Sequence, residues 1–156
     1  MKPASSDGAM RIQAILGGAF RVLEFEESTR SSADAAAAVG CAVAQIAKSM
    51  VFRAADGQPV LVVASGSNRV DDKKVAALLG QRIKQADPAF VLRHTGFTVG
   101  RVPPIGHATR PTTFLDQDLQ MYPTIWAAAG SPNAVFELTP VDLGRLTGAG
   151  FFVVAK

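Results

Sequence analysis

Ser49-Met50-Val51-Phe52-Arg53-Ala54-Ala55-Asp56-Gly57-Gln58-Pro59-Val60-Leu61-Val62-Val63-Ala64 is the stretch on which the fold turns. Ser49–Arg53 and Pro59–Ala64 read as strands, and Ala55–Gln58 joins them. An Asp-Gly pair between two such runs marks a hairpin. The second run is apolar throughout, which fits a central strand covered on both faces.

Working upstream, Val43–Ala47 reads as a short helix ending at Lys48. Ala33–Val39 is an alanine-rich helix stopped by Gly40. Ser28-Thr29-Arg30-Ser31-Ser32 precedes it. One of these hydroxyls caps the helix, and the cluster can also line a pocket; both readings are open. Arg21–Glu26 alternates polar and apolar residues as a half-buried strand does. Residues 9–20 carry Met10, Ile12, Ile15, Leu16 and Phe20 at near-helical spacing, ended by Gly17-Gly18.

Working downstream, Asp71–Gly80 is a helix with its acids at the start. Gln81–Ala86 is a short polar strand or an extended linker. Asp87-Pro88 opens a helix through His94. Thr112–Asp116, Thr124–Ala129 and Ala134–Leu138 read as strands, with a connection at Gln117–Tyr122 and a turn at Gly130–Asn133. Thr139 caps a helix begun by Pro140. Phe151–Ala155 is a strand or a buried tail. The fold class is α/β (mixed): a mixed, partly closed β-sheet or barrel surrounded by helices, rather than a doubly wound parallel sheet. The 156 residues make one domain, with residues 1–8 a flexible N-terminal tail.

Hydrophobic residues at 48% and charged residues at 19% exclude a disordered chain. No apolar run reaches the roughly 20 residues that cross a bilayer, and the first residues lack a signal-peptide core. Cys41 is the single cysteine, so no internal disulfide forms and a reducing cytoplasm is the simplest compartment. Net charge is +3. The cations are spread over Arg69, Lys73, Lys74, Arg82, Lys84, Arg93, Arg101 and Arg110. Such a loose positive face suits a flexible nucleic-acid end better than a duplex reader.

Gly96-Phe97-Thr98-Val99-Gly100-Arg101-Val102-Pro103-Pro104-Ile105-Gly106 combines three glycines with two prolines. On composition alone it reads first as a plain turn; a loop stiffened this way can also aim backbone N–H groups at one oxygen atom. No Walker or dinucleotide fingerprint occurs. His94, His107 and Cys41 lack metal-ligand spacing. Cys41 reads as a buried inert thiol, and no nucleophile elbow is present. Lys48, between two apolar segments, is either a helix-end lysine reaching solvent or a cationic clamp for a phosphate or oxyanion.

Three segments together resemble the YbaK/EbsC-like family, the superfamily of the editing domain of bacterial prolyl-tRNA synthetases. They are Ser28–Ala36, Gln45–Phe52 and Gly100-Arg101-Val102-Pro103-Pro104-Ile105-Gly106, and the resemblance spans about residues 9–155. It implies a freestanding trans-editing hydrolase that deacylates mischarged tRNA(Pro) carrying a small amino acid: Ala, 2-aminobutyrate or Cys. It implies that Lys48 holds the 3′ aminoacyl end and that the backbone of Gly100, Arg101 and Val102 stabilises the oxyanion. Thr29, Ser49, Met50, Pro104, Ile105, Gly106 and Gly130 would surround the substrate. A hydroxyl of the terminal ribose assists attack by water, with no cofactor and no metal. Prolyl-tRNA synthetase or an elongation factor would be a transient partner, in the cytoplasm and away from membranes.

Two departures bear on that implication. Arg101 stands where many relatives have a second glycine. Val135 stands where Cys-tRNA-type members carry an aspartate two residues before the glutamate, which argues for a small aliphatic substrate. Met50, Val62 and Ile105 are candidate apolar walls. The alternative reading is a non-catalytic tRNA- or synthetase-binding adaptor, and a third is a hydrolase of another small activated ester.

Overall fold

The structure, a computed structural model, describes residues 2–29 and 31–156. Met1 of the N-terminal tail and Arg30 of the hydroxyl-rich segment lie outside the described residues. The chain begins with β1 (Lys2–Pro3), α1 (Asp7–Leu16), β2 (Val22–Glu24) and α2 (Ser32–Val39). The central hairpin is β3 (Ile46–Ala54) and β4 (Pro59–Ser65). Then come α3 (Asp72–Leu79), β5 (Ile83–Gln85), α4 (Pro88–Thr95) and β6 (Thr112–Asp116). The last elements are β7 (Ile125–Ala128), β8 (Ala134–Leu138), α5 (Pro140–Thr147) and β9 (Phe151–Phe152).

The strands form one mixed sheet in the order β1-β2-β8-β7-β3-β4-β6-β9, with β5 on β3. β3 and β4 run antiparallel from Ala47↔Ser65 to Arg53↔Pro59. β4 is buried at all seven positions and also pairs β6 in parallel, as an all-apolar strand should. Its side chains alternate between two cores. Leu61 and Val63 join Ile12, Phe90 and Leu143, while Val60, Val62 and Ala64 join Val75 of α3. Each such Val or Leu contributes about 1.5–3 kcal/mol by burial. No helix among the described residues is long and apolar enough to cross a membrane.

Two expectations from sequence are corrected. Val43–Ala47 is not a helix ending at Lys48: a 3-10 turn covers Val43–Gln45, and β3 starts at Ile46. A five-residue helix cannot repay its nucleation, whereas pairing with β4 and β7 binds the backbone on both edges. Residues 2–8 are not a loose tail. β1 pairs β2, and Ser6 caps α1 through the Ala9 N–H. Ser5 and Ser6 each donate a backbone N–H and a hydroxyl to the Glu24 carboxylate at 2.7–2.9 Å. Burial alone would raise the Glu24 pKa, but these four donors outweigh it and hold the group at about 2.

Candidate active site

The site arises where β3 loses a neighbour. Polar backbone groups of a strand alternate between its two edges. The Ile46 carbonyl accepts from Gly66 at 2.7 Å, so even-numbered residues of β3 face β4. The Val51 carbonyl accepts from Ala86 at 3.2 Å, so odd-numbered residues face the other edge. On that edge β7 covers only Ile46–Ala47, and β5 covers only Phe52–Ala54. Ser49 lies in the gap, with its N–H and C=O directed at an edge that carries no strand among the described residues. Its Oγ is buried and has no hydrogen-bond partner among the described residues.

A cavity of about 340 Å³ occupies this gap. Lys48, Ser49 and Met50 form its floor, Trp126–Ala128 and Val135 one wall, and Thr29, Ser31, Ser32 and Ala35 another. Val99, Gly100 and Val102 close it from the glycine-proline loop. A smaller cavity of about 60 Å³ lies behind that loop, between Ser49–Val51, Gln85–Ala86, Val91 and the same loop residues.

Lys48 is held by a chain of polar contacts. Its Nζ donates to the Asn68 carbonyl at 2.8 Å, leaving two of its three donors without an acceptor among the described residues. The Asn68 amide in turn donates to Asp116 and Asp118, both at 2.8 Å. Asp116 is buried and also accepts from the Ser65 N–H at 3.0 Å. Burial and the nearby Arg69 push the Lys48 ammonium below the ordinary lysine range, and Asp116 opposes them. Asn68, Asp116 and Asp118 escaped the sequence reading because they lie 20 to 70 residues from Lys48 and match no motif.

The loop is a built turn. Arg101 N–H donates to the Thr98 carbonyl at 3.0 Å, with Gly100 at φ 86° in the third position. That is a type II turn, whose third position favours glycine. The Arg101 N–H is therefore taken inside the turn and is not the free oxyanion donor expected from sequence. The N–H groups of Gly100 and Val102 have no hydrogen-bond acceptor among the described residues. His107 anchors the far end through Nε2 and the Pro103 carbonyl at 2.7 Å. A carbonyl only accepts, so Nε2 carries the proton. Burial, followed by Arg11, keeps this ring below the usual histidine range, while its bond to Pro103 pulls the other way.

Of the residues expected at the site, Lys48, Ser49, Met50, Gly100, Val102 and Thr29 line the main cavity. Arg101 does not; its Nε is buried without a hydrogen-bond partner among the described residues. Pro104, Ile105 and Gly106 border a separate cavity with Ile15 and His107. Gly130 packs against Gly8 and the Phe97 ring. Val62 is fully buried in the α3-side core. Ser31 both caps α2 and lines the cavity, so the two readings of the hydroxyl cluster hold together. The sequence marks Trp126 only as part of a buried strand; in the structure it alternates with core residues Ile125 and Ala127 and is half-buried against the cavity. Cys41 lies outside the cavity lining, with its thiol pushed up by burial.

Comparison with known proteins places this architecture among enzymes that edit aminoacyl-tRNA. The chain belongs to the family described as "Aminoacyl-tRNA editing domain", whose model matches residues 26–146. By that membership it is an aminoacyl-tRNA deacylase, an ester hydrolase of the YbaK/EbsC-like group. It is 37% identical to "Uncharacterized protein YwhH" of Bacillus subtilis (strain 168), over 81% of this chain and 80% of that one. It is 27% identical to the "Putative Cys-tRNA(Pro)/Cys-tRNA(Cys) deacylase EbsC" of Enterococcus faecalis (strain ATCC 700802 / V583), over 96% and 93%. A crystal structure of "a putative trans-editing enzyme for prolyl tRNA synthetase" superposes with a TM-score of 0.93 at 43% identity, covering 98% of this chain and 99% of the other.

Proposed function

We propose that this enzyme is a freestanding editor that removes a small amino acid, Ala, 2-aminobutyrate or Cys, from tRNA(Pro) in the cytoplasm. Prolyl-tRNA synthetase or an elongation factor would deliver the substrate. The observation that carries the reading is the meeting of Lys48, Ser49 and the backbone of Gly100 and Val102 around one cavity.

The terminal adenosine enters the main cavity, where Trp126 offers a face for the base. The two open donors of Lys48 hold the 3′-terminal phosphate or the aminoacyl group. Water adds to the ester carbonyl carbon, and the N–H groups of Gly100 and Val102 take the developing oxyanion. Each such donor contributes about 3 kcal/mol to the transition state. The terminal ribose hydroxyl relays the proton of the water to the departing ribose oxygen, leaving a free amino acid and tRNA. The side chain of the substrate enters the 60 Å³ cavity, which has room for only a few heavy atoms. A synthetase site rejects a missing methylene by about 1–3 kcal/mol, so a small second sieve supplies the discrimination it lacks.

The test is deacylation of tRNA(Pro) charged with Ala, Cys, 2-aminobutyrate or Pro, by wild type and Lys48→Ala in parallel. Hydrolysis of a small non-cognate ester, with Pro-tRNA preserved and the variant folded but inactive, is the expected result. Tight tRNA binding with no acceleration on any ester would instead make the chain an adaptor.

A further inference from the structure

A second cluster of charge lies further along β3. Arg53 and Lys84 are directly opposite each other in the β3–β5 register. Like charges so placed repel. The Arg53 guanidinium stands 5.5 Å from the centre of the Phe90 ring, and that of Arg93 stands 5.8 Å from the same ring. Arg82 joins Arg53 and Lys84 around an open cavity of about 410 Å³. All four residues are exposed. None is in an ion pair; among the described residues that contact occurs between Arg145 and Asp142. The carboxylates closest in sequence are engaged elsewhere. Asp56 accepts from Gln58 and Gln81, and Asp87 caps α4 through Phe90. The fold thus gathers four cations, two of them cross-strand partners, with no ion-paired anion among them.

We propose that this patch binds the backbone phosphates of the tRNA strand leading to the aminoacylated end. The proposal rests on the deacylase reading and adds the path of the RNA. Continuity favours a strand over a free anion. Ser49–Val51 and Gln85–Ala86 border the inner cavity, and Arg53–Ala55 and Arg82–Lys84 border the cationic one, on the same two strands. From Ser49 to Arg53, which project from the same face of β3, is about 13 Å at 3.3 Å per residue, a span that an extended single-stranded end can bridge. Guanidinium forks match phosphate geometry.

The experiment compares wild type, the triple variant Arg53→Gln/Lys84→Gln/Arg93→Gln, and the single exposed change Lys84→Glu. It measures binding of uncharged tRNA(Pro) against salt. It also measures deacylation of aminoacyl-tRNA and of aminoacyl-adenosine, which has the ester but no strand. The triple variant is expected to raise KM for aminoacyl-tRNA at least tenfold. It should flatten the salt slope by about 2, three contacts at roughly 0.7 each, and keep aminoacyl-adenosine turnover within about twofold. Lys84→Glu shifts KM the same way by several-fold without touching the core. An unchanged slope and KM overturn the proposal, as does an equal loss on both substrates. If wild type hydrolyses neither ester, the deacylase reading fails, and the slope for uncharged tRNA still decides the surface: a flatter slope supports it, and an unchanged one removes it.

Discussion

Lys48 draws its character from residues far away in the chain. Asn68 fixes its position, while burial, Arg69 and Asp116 set its proton affinity. Lys48→Ala is expected to lower deacylation on the order of 10²–10³-fold with the fold intact, as loss of an oxyanion-type contact does. The pH profile gives a finer check. An ammonium-dependent rate falls as pH rises through the Lys48 pKa, which lies below the ordinary value of about 10.4. Arg69→Gln removes a nearby positive charge, favours the ammonium and moves this limb to higher pH. Asp116→Asn removes the opposing negative charge and moves it lower. Shifts in the same direction for both variants would refute this account. Met50 bears on selectivity, because it borders both cavities. Met50→Ala enlarges the inner one, and Pro-tRNA hydrolysis is expected to rise by about 10–200-fold relative to Ala-tRNA, measured as a ratio of kcat/KM.

Elements were legible in sequence where local chemistry decides them. The Asp-Gly hairpin, the Asp71 and Asp87 caps and the Thr139-Pro140 start all lie where their residues direct. Ile46–Lys48 did not, because its strand state comes from partners about 20 and 80 residues away. The same holds for the site. Lys48 and the glycine loop stood out locally, whereas the gap that makes them a cavity is a property of three strands. Arg101 shows the limit from the other side: its motif position suggested a free donor, and only the Thr98 contact reveals that the N–H is taken. One close approach at this scale is testable. A Cβ on Gly66 would lie 2.4 Å from the Val43 carbonyl oxygen and 2.8 Å from Ser32 Cβ. Gly66→Ala must therefore push the end of β4 away from the α2 entry. A loss of about 1–3 kcal/mol in denaturant unfolding is expected, together with a fall in kcat, since Ser32 lines the cavity.

For the molecule as a whole, acid stability depends on the attachment of the first strand. The Glu24 pKa is about 2 when folded, and an unfolded glutamate titrates near 4.3. Below that value the unfolded chain binds a proton that the folded chain does not. The contribution of Glu24 is thus fully present above about pH 4.3 and is lost as pH falls toward 2, amounting to about 3 kcal/mol. Glu24→Gln is expected to lower stability by that order at pH 7. The difference from wild type should close near pH 2, as read from urea midpoints at each pH.

The interrupted edge of β3 has a practical consequence for finding ligands. Ser49 has a backbone edge that pairs with no strand and a buried hydroxyl with no partner among the described residues, so both can hydrogen-bond to a ligand. A compound that binds only the folded state at 100 times its Kd adds about 2.7 kcal/mol. For a chain of this length that is a rise in Tm of about 5–10 °C. Simple dye-based melting of the purified protein, without any charged tRNA, can therefore rank adenosine derivatives bearing small amino acids through a non-hydrolysable amide. The derivative giving the largest upward shift would reveal which side chain the inner cavity was shaped to receive, and no shift with any of them would mean that the gap is not where the nucleoside sits.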